Sequence, residues 1–210
     1  MKPIKSVGLV LGIVFLAVQA PAAQAADDPA VHRIEGFYAT LVDAMKRGPE
    51  LGVKGRYHLL APAVDATFDI PAMIKFVVGP GWETMSDADH RALTDAFRRM
   101  TIADYASNFD TYHGEKFTVD PTVQVKAGDE FVQSNLNPQS GKPTPFIYRM
   151  RDTSAGWKAI DIYLNGYVSE LAMRRSDFAA TVTSGGAPAL VRKLNDLADN
   201  QLGGAKASGE

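Results

Sequence analysis

The sequence predicts an α+β fold in which helices precede and follow a curled antiparallel sheet of about four strands, enclosing an apolar cavity. Three observations lead to this prediction. Apolar residues recur at helical spacing through the first half of the chain. After Gly114, segments in which apolar and polar residues alternate are joined by short turns, and helical spacing returns near Gly166. Strands joined by short connections pair antiparallel. No internal repeat or linker divides the chain, so we expect one domain.

The first 25 residues are predicted to be a signal peptide that does not belong to the fold. Lys2 and Lys5 precede an apolar run at 7–18, and the sequence Ala-Gln-Ala at 23–25 is a small-x-small cleavage pattern. The run is shorter than the roughly 20 residues that a membrane span needs. Cleavage after this pattern would release the protein from the membrane, whereas an uncleaved N-terminal anchor is the alternative.

Composition excludes several classes of partner. The leader contains two of the 22 lysines and arginines and none of the 24 acidic residues, so the net charge after cleavage is −4. The chain has no basic block, which argues against nucleic-acid partners and against docking on an anionic membrane. It has no cysteine, so it lacks the residue that anchors a bacterial lipoprotein. We therefore expect a soluble periplasmic domain at 26–202 and a disordered tail at 203–210.

Four helices are predicted before the sheet. Asp28 and Pro29 form a helix start, and apolar residues recur at steps of three and four to about Lys46. Glycines and prolines between 48 and 55 then break the helical pattern. A second helix is predicted over 57–67, although it contains a proline.

The third and fourth helices flank a Gly-Pro-Gly-Trp corner at 79–82. Asp69 caps the third helix, which ends at the corner. Ser86 and Asp89 resemble a capping box for the longest helix, about 87–110. The apolar side of this helix drifts around its axis, which is expected if the helix contacts two neighbours or lines a cavity.

The second half of the chain contains the strands and two closing helices. The predicted strands span 117–125, 130–136, 145–151 and 157–164. One helix is predicted from near Gly166 to the pair Gly185 and Gly186, and another begins with Pro188. With helices on both flanks, one face of a curled sheet can form the wall of a cone, as in NTF2-like folds.

The residue patterns predict neither a metal nor a cofactor. The four histidines are isolated from one another in the sequence, and there is no cysteine to complete a zinc site. Asp87, Asp89 and His90 lie together at a predicted helix start, where the helix dipole favours acidic residues. Their spacing does not bring three side chains to one ion, so we interpret them as a solvated helix terminus.

One residue supports an enzymatic alternative. Strand alternation places Asp161 on the same face as Trp157, Ala159 and Tyr163. If that face lines an apolar cavity, burial would raise the pKa of Asp161, which could then act as a general base of the ketosteroid-isomerase kind. The competing interpretation is a carboxylate that is hydrogen-bonded to a neighbouring loop.

Aromatic and long aliphatic residues exceed what a core of this size needs, and we predict that ten of them line the cavity. These cavity-wall residues are Phe76, Val77, Trp82, Met100, Tyr105, Phe109, Phe146, Tyr148, Ile160 and Tyr163. Arg174 and Arg175 follow the sheet closely enough to meet a polar headgroup or a partner protein.

Three segments resemble the MlaC or toluene-tolerance family of periplasmic lipid-binding proteins. They are the helices and corner at 68–100, the turn into the sheet at 105–115, and the Trp-Lys strand and closing helices at 156–194. The resemblance covers nearly all of the mature chain. It implies a carrier without enzymatic activity, which buries an amphiphilic lipid in a pocket of several hundred Å³ or more and shuttles it between the inner and outer membranes.

Other segments look closer to the hopanoid-associated HpnM branch of this family. They lie at 45–49, 51–52, 55–57 and 77–80. This closer resemblance implies a hopanoid as the preferred ligand and a phospholipid as the next. The implied partners are an inner-membrane RND-type exporter or ABC lipid-transport complex, and an outer-membrane acceptor. A third class, an envelope scaffold protein that binds no ligand, stays open beside the carrier and the enzyme.

Overall fold

A computed structural model describes residues 28–203, so the predicted signal peptide and the predicted tail beyond Gly203 lie outside the described residues. These residues form five helices and an open antiparallel sheet of six strands, which agrees with the predicted α+β class. The helices are α1 (Pro29–Lys46), α2 (Gly48–Thr67), α3 (Ile70–Val78), α4 (Asp87–Asn108) and α5 (Glu170–Gly203). The strands are β1 (Lys116–Val119), β2 (Gln124–Lys126), β3 (Asp129–Asn137), β4 (Thr144–Thr153), β5 (Gly156–Leu164) and β6 (Val168–Ser169).

The predicted helix starts are confirmed by their capping hydrogen bonds. The Asp28 carboxylate accepts from the backbone nitrogens of Ala30 at 2.8 Å and Val31 at 3.4 Å. At the start of α4, the Asp89 nitrogen donates to Ser86 Oγ at 3.2 Å and the Ser86 nitrogen donates to Asp89 Oδ2 at 3.1 Å. Both halves of a capping box are therefore present, and the polar groups of the first turn are satisfied locally.

Two helices each contain a single non-helical glycine. In α2 this residue is Gly52, with φ 61° and ψ 177°, so the predicted break over 48–55 is wrong except at that position. In α5 it is Gly186, with φ 57° and ψ −153°, which divides the helix where the sequence predicted two. Glycine tolerates a positive φ at little cost, so a sharp bend needs only one such residue.

The strand order is β1-β3-β4-β5-β6, and β2 also pairs with β3. The strand predicted over 117–125 is therefore two strands. Between them, the Asp120 carboxylate accepts from the Thr122 nitrogen at 2.8 Å, which is a local turn. Pro121 has no N–H to donate to the ladder, which explains why pairing stops there and resumes at β2.

A β-bulge interrupts the pairing of β4 with β5. Arg149 pairs with Asp161 and the next residue, Met150, pairs with Ala159, so Ile160 has no partner opposite it. All three residues from Ala159 to Asp161 are consequently buried, where simple alternation would bury every second one. An extra residue of this kind bends the strand and increases its twist.

Beyond the bulge, the residues of β5 point to the opposite sides of the sheet from those that uninterrupted alternation predicts. Ala159 and Ile162 lie on the same side of the sheet, because their partners on β4 are two residues apart. Tyr163, the next residue, lies on the opposite side. Asp161 pairs with Arg149 and Tyr163 with Ile147, so these two share a side as expected, but Trp157 and Ala159 lie on the other side. The expectation that all four share one face is therefore wrong, since it assumed uninterrupted alternation.

The hydrophobic core lies between the helices and one side of the sheet. Helix α4 packs against α2 on one side and against α3 and α5 on another, and α1 packs on β1, β3 and β5. This arrangement confirms the interpretation of the drifting apolar side of α4. Its buried residues are Leu93, Ala96, Phe97, Met100, Thr101, Ile102, Ala103 and Ala106. Within residues 28–203, no helix has both the length and the hydropathy for a membrane span.

Asp129, at the start of β3, holds two arginines of β4. Its side chain is 2 % exposed, and it accepts from Arg149 Nε at 2.7 Å and from Arg151 Nε at 2.7 Å. Hydrogen bonding to Arg151, and then to Arg149, keeps the pKa of Asp129 below its ordinary value. A carboxyl whose pKa is depressed by folding stabilises the fold above its unfolded pKa of about 3.9. That stability is lost as the pH falls through the folded pKa.

We expect Asp129→Asn to lower the free energy of unfolding at pH 7 by about 1.5–3 kcal/mol, because charge-assisted hydrogen bonds to a buried acceptor are weakened. The difference from the wild type should shrink as the pH falls below about 3.9, where the unfolded carboxyl takes up a proton, and continue to shrink towards the lower pKa of the folded carboxyl. Urea unfolding at pH 7 and pH 3 measures both values. Asp152→Asn, an exposed carboxyl on the same hairpin, is the control and should change stability by less than about 0.5 kcal/mol. An equal loss at both pH values for Asp129→Asn would contradict this account.

Candidate ligand pocket

A pocket of about 210 Å³ lies between the helices and the helix-facing side of the sheet. Its walls come from α1, α3, α4, the first turns of α5, and strands β1, β4 and β5. Aromatic and aliphatic side chains form most of the lining. The polar side chains that reach it are Thr101, Asp104, Asn108, Glu170 and Arg174. The pocket is smaller than the several hundred Å³ expected from the sequence, and it is below the common range of about 300–1,000 Å³ for ligand sites.

Six of the twelve residues predicted to meet a ligand line this pocket. They are Met100, Tyr105, Phe109, Phe146, Tyr148 and Arg174. Met100 and Tyr105 lie on α4, Phe109 directly follows its last residue, and β4 supplies Phe146 and Tyr148. The structure thus brings residues from three distant parts of the chain to one space.

Three predicted wall residues belong to the α3 region and point elsewhere. Phe76 is 45 % exposed on the outer side of α3, with the Arg175 guanidinium 5.5 Å from its ring centroid. Arg175 is therefore also outside the pocket. Val77 is buried in the core, because the next position of the helix is turned about 100° away from Phe76. Trp82 stacks on His90 with ring centroids 4.0 Å apart, and it joins the corner to α4.

Two predicted wall residues of β5 are also placed away from the pocket. Ile160 is the bulged residue, and it is buried without lining the space. Tyr163 is on the other face of the sheet, where its ring lies 6.2 Å from that of Phe131. The residues that face the pocket from β5 are instead Ile162 and Leu164. By simple alternation each face of this strand has one charged residue, Lys158 or Asp161, among apolar ones, so alternation alone could not choose between them.

Part of the lining, from the helices, from the junction of α2 with α3 and from β1, was not among the predicted wall residues. These residues are Tyr38, Leu41, Phe68, Met73, Phe97 and Phe117. Tyr38 and Leu41 are two of the apolar residues that recur at steps of three and four in the first predicted helix. That signal is the same for a residue that packs in a core and for one that borders a cavity, because both need only an apolar, inward-facing side chain.

Aromatic rings pack against one another around the pocket. Tyr38 stacks on Phe117 with centroids 4.3 Å apart, and Phe68 stacks on Tyr105 at 5.8 Å. Phe109 continues this row, 5.9 Å from Tyr105. Such ring pairs add about 0.5–1.5 kcal/mol each beyond the area that they bury. The wall is therefore apolar, and its aromatic rings stabilise one another.

Tyrosine hydroxyls place uncharged polar groups in this wall. Tyr38 Oη and Ser134 Oγ are hydrogen-bonded at 2.7 Å, and Ser134 Oγ also donates to the Phe146 carbonyl at 3.5 Å. The Tyr148 hydroxyl interacts with those of Tyr38 and Tyr105. Burial raises the pKa of all three tyrosines, so they stay neutral at physiological pH. Because they satisfy one another, these hydroxyls do not require a polar ligand.

The charged side chains of the lining form one group, which we call the rim cluster: Asp104, Glu170 and Arg174. Arg174 donates from Nη2 to Asp104 Oδ2 at 2.7 Å and from Nε to Glu170 Oε1 at 2.9 Å. The side chains are between 20 % and 26 % exposed, whereas Tyr38 and Tyr148 are buried. Burial raises the pKa of the Asp104 carboxyl, and Arg174 opposes the rise. The pocket therefore has an apolar interior and a charged end near solvent.

Asp161 does not line the pocket. Its carboxylate accepts from Ser169 Oγ at 2.6 Å, from the Ile162 nitrogen at 2.8 Å and from the Leu171 nitrogen at 3.3 Å. Both carboxylate oxygens are thus occupied in holding the start of α5 against β5. This geometry supports the hydrogen-bonded interpretation of Asp161 and gives no support to a general base.

The acidic residues at the start of α4 also have local roles. Asp89 belongs to the capping box, and His90 Nε2 lies 2.9 Å from the Trp82 carbonyl oxygen. In the part of the chain that the structure describes, no three histidine or acidic side chains converge on a point that could hold a metal ion.

Comparisons with known proteins agree with this architecture. A family model described as MlaC protein matches residues 36–196. Seven solved chains match the structure, and one is a phospholipid-binding protein from Ralstonia solanacearum in complex with a phospholipid. That protein matches with a TM-score of 0.71 over 83 % of this chain and 99 % of its own, at 19 % sequence identity. No curated protein matches the sequence. At this identity, the structural likeness establishes the fold.

Proposed function

The chain belongs to the MlaC family, and from this premise we propose that it is a periplasmic carrier that buries an amphiphilic lipid and shuttles it between the inner and outer membranes. The observation that supports this function is the polarity of the pocket, which has aromatic and aliphatic walls and charged groups at one end only. An amphiphile has the same division, since its hydrocarbon part avoids water and its head prefers it.

The energetics of a carrier fit an apolar pocket. Two acyl tails contain about 30 methylenes, and exposing each to water costs about 0.8 kcal/mol, so crossing the periplasm unprotected would cost on the order of 20–25 kcal/mol. The fused rings of a hopanoid present a comparable apolar surface. A protein that shields this surface needs no specific polar contact to hold the ligand, only a dry space of matching size.

The observed volume implies that the walls move when the ligand enters. A space of about 210 Å³ is too small for both tails of a phospholipid or for a whole hopanoid. Unlike a closed β-barrel, this pocket is bounded by helices on one side and an open sheet on the other. We propose that these two layers separate to admit the ligand and close again when a partner removes it.

The proposed ligands are a hopanoid first and a phospholipid next. The resemblance of several segments to the HpnM branch supports the hopanoid, whereas the phospholipid in the Ralstonia solanacearum protein supports the second choice. The corresponding partners are an RND-type exporter or an ABC lipid-transport complex in the inner membrane, with an acceptor in the outer membrane.

Lipid extraction from protein purified without detergent tests the proposal. We expect about one lipid molecule per protein chain, which mass spectrometry would identify and quantify. A small molecule that the protein converts to a product would instead indicate an enzyme. A protein that repeatedly purifies without any lipid, and takes none up from vesicles, would contradict the carrier and favour a scaffold.

A further inference from the structure

The rim cluster contains two carboxylates for one guanidinium. Arg174 makes hydrogen bonds to both acids, and its remaining nitrogen, Nη1, is 3.5 Å from the sulfur of Met100. With both carboxylates ionised, the cluster has a net charge of −1. The other polar side chains that reach the pocket, Thr101 and Asn108, are uncharged. The charged end of this pocket is therefore negative overall.

An anionic head would meet two obstacles at this end of the pocket. To reach Nε or Nη2 of Arg174 it must displace Glu170 or Asp104, and the displaced carboxylate would then lie beside a second negative charge. The third nitrogen, Nη1, donates only to the Met100 sulfur, but an anion bound there would still lie beside a cluster with a net charge of −1. Because the three side chains are only 20–26 % exposed, water screens this repulsion incompletely. Discrimination by like-charge repulsion is a common way in which a site rejects a competing ligand.

A head that donates hydrogen bonds meets neither obstacle. Each carboxylate has two oxygens, and the hydrogen bonds to Arg174 use one oxygen of Asp104 and one of Glu170. Carboxylate oxygens accept readily from hydroxyl and ammonium groups, and those bonds leave the ion pairs with Arg174 in place. The existing geometry therefore offers carboxylate acceptors to the ligand, although Asp104 also interacts with Gln201, while two of the three Arg174 nitrogens are already paired with these carboxylates.

We infer that Asp104 and Glu170 make the pocket selective for lipids with an uncharged or hydrogen-bond-donating head, such as a hydroxyl or an ammonium group, over lipids with a net anionic head. This inference rests on the proposed carrier function and specifies its ligand class. It assigns Arg174 the role of holding the two acids in place, in contrast to the headgroup contact expected from the sequence.

Competitive uptake from vesicles tests the selectivity. The protein is incubated with phosphatidylcholine vesicles that contain equal amounts of diacylglycerol, phosphatidylethanolamine and phosphatidylglycerol with identical acyl chains. It is then separated from the vesicles, and its lipids are quantified by mass spectrometry. We expect the wild type to take up phosphatidylglycerol about tenfold less than either of the other two lipids, which corresponds to about 1.4 kcal/mol.

The variant Asp104→Asn with Glu170→Gln changes the cluster from −1 to +1 and should raise relative phosphatidylglycerol uptake about tenfold. The matched control is Asp95→Asn with Asp196→Asn, which makes the same charge change at exposed positions of α4 and α5 and should leave the preference unchanged. If the first variant does not fold, the relative uptake of the three lipids by the wild type still tests the selectivity.

The outcomes separate the two proposals. Uptake of all three lipids in equal amounts, or a preference for phosphatidylglycerol in the wild type, would overturn the selectivity and leave the carrier function standing. An equal shift in the control variant would likewise overturn it, because the effect would then come from total charge. Uptake of no lipid at all would overturn the carrier function itself.

Discussion

The double variant Ile162→Gln with Leu164→Gln is expected to reduce the lipid that co-purifies with the protein by at least tenfold. Both side chains are half-buried on β5 and face the pocket. A buried amide without a hydrogen-bond partner costs about 1–3 kcal/mol, and hydrocarbon tails offer none. Two such groups exceed the roughly 1.4 kcal/mol that corresponds to a tenfold change in affinity. Mass spectrometry of lipid per mole of protein measures the loss.

Tyr163→Gln is the matched control for this variant. It places the same amide between the two positions, but on the opposite face of the sheet near Phe131. We expect its lipid content to equal that of the wild type, and thermal unfolding followed by circular dichroism should show that both variants fold. Equal losses in the control and in the double variant, or full lipid content in the double variant, would remove this pocket from the lipid site.

Gly48→Ala is expected to destabilise the fold by about 3 kcal/mol or more. Gly48 is the buried first residue of α2, and a Cβ atom there would overlap the backbone carbonyl oxygen of Asp110. Arg56 holds this junction closed, since its Nη1 donates to the Gly48 carbonyl at 3.0 Å and its Nε donates to the Ala106 carbonyl at 2.8 Å. Backbone that is held in this way cannot move aside as a flexible side chain can, so overpacking is costly.

The expected effect on thermal stability is a decrease in Tm of roughly 6–12 °C, because 1 kcal/mol corresponds to about 2–4 °C in a domain of this size. Gly36→Ala is the control, and we expect it to raise the Tm. Gly36 is within α1, and nothing lies within 4 Å of the position that its Cβ would take. Alanine there should stabilise by about 0.5–1 kcal/mol through its higher helix propensity. A decrease in Tm of similar size for both variants would show that contact with Asp110 is not the cause.

Helix starts were the most predictable feature of this protein. Asp28 and Ser86 each satisfy backbone nitrogens within three residues of themselves, so the interaction that begins the helix is contained in a short stretch of sequence. The strands were predictable for the same local reason, apart from the turn at Asp120 that divides the first of them. Family membership was also accessible, because the Gly-Pro-Gly-Trp corner and its flanking helices form a continuous segment.

The site was predictable only in part. Tyr105 and Tyr148 were recognised as aromatic residues in excess of a core, and they line the pocket. Ile160 and Tyr163 were assigned to the same wall, but Ile160 is the bulged residue and Tyr163 lies on the opposite face from Ile162 and Leu164, which line the pocket. A bulge is a mismatch between two paired strands, so it is invisible in either strand alone.

The amino-acid sequence by itself determined the α+β class, the helix caps and the family, since each depends on residues close together in the chain. The tertiary structure decided which face of β5 meets the helices, how large the pocket is, and that Arg174 is held by an acid 70 residues away. The physical reason is that burial and ion pairing are properties of contacts between distant segments. Their geometry exists only when the helices have packed against the sheet.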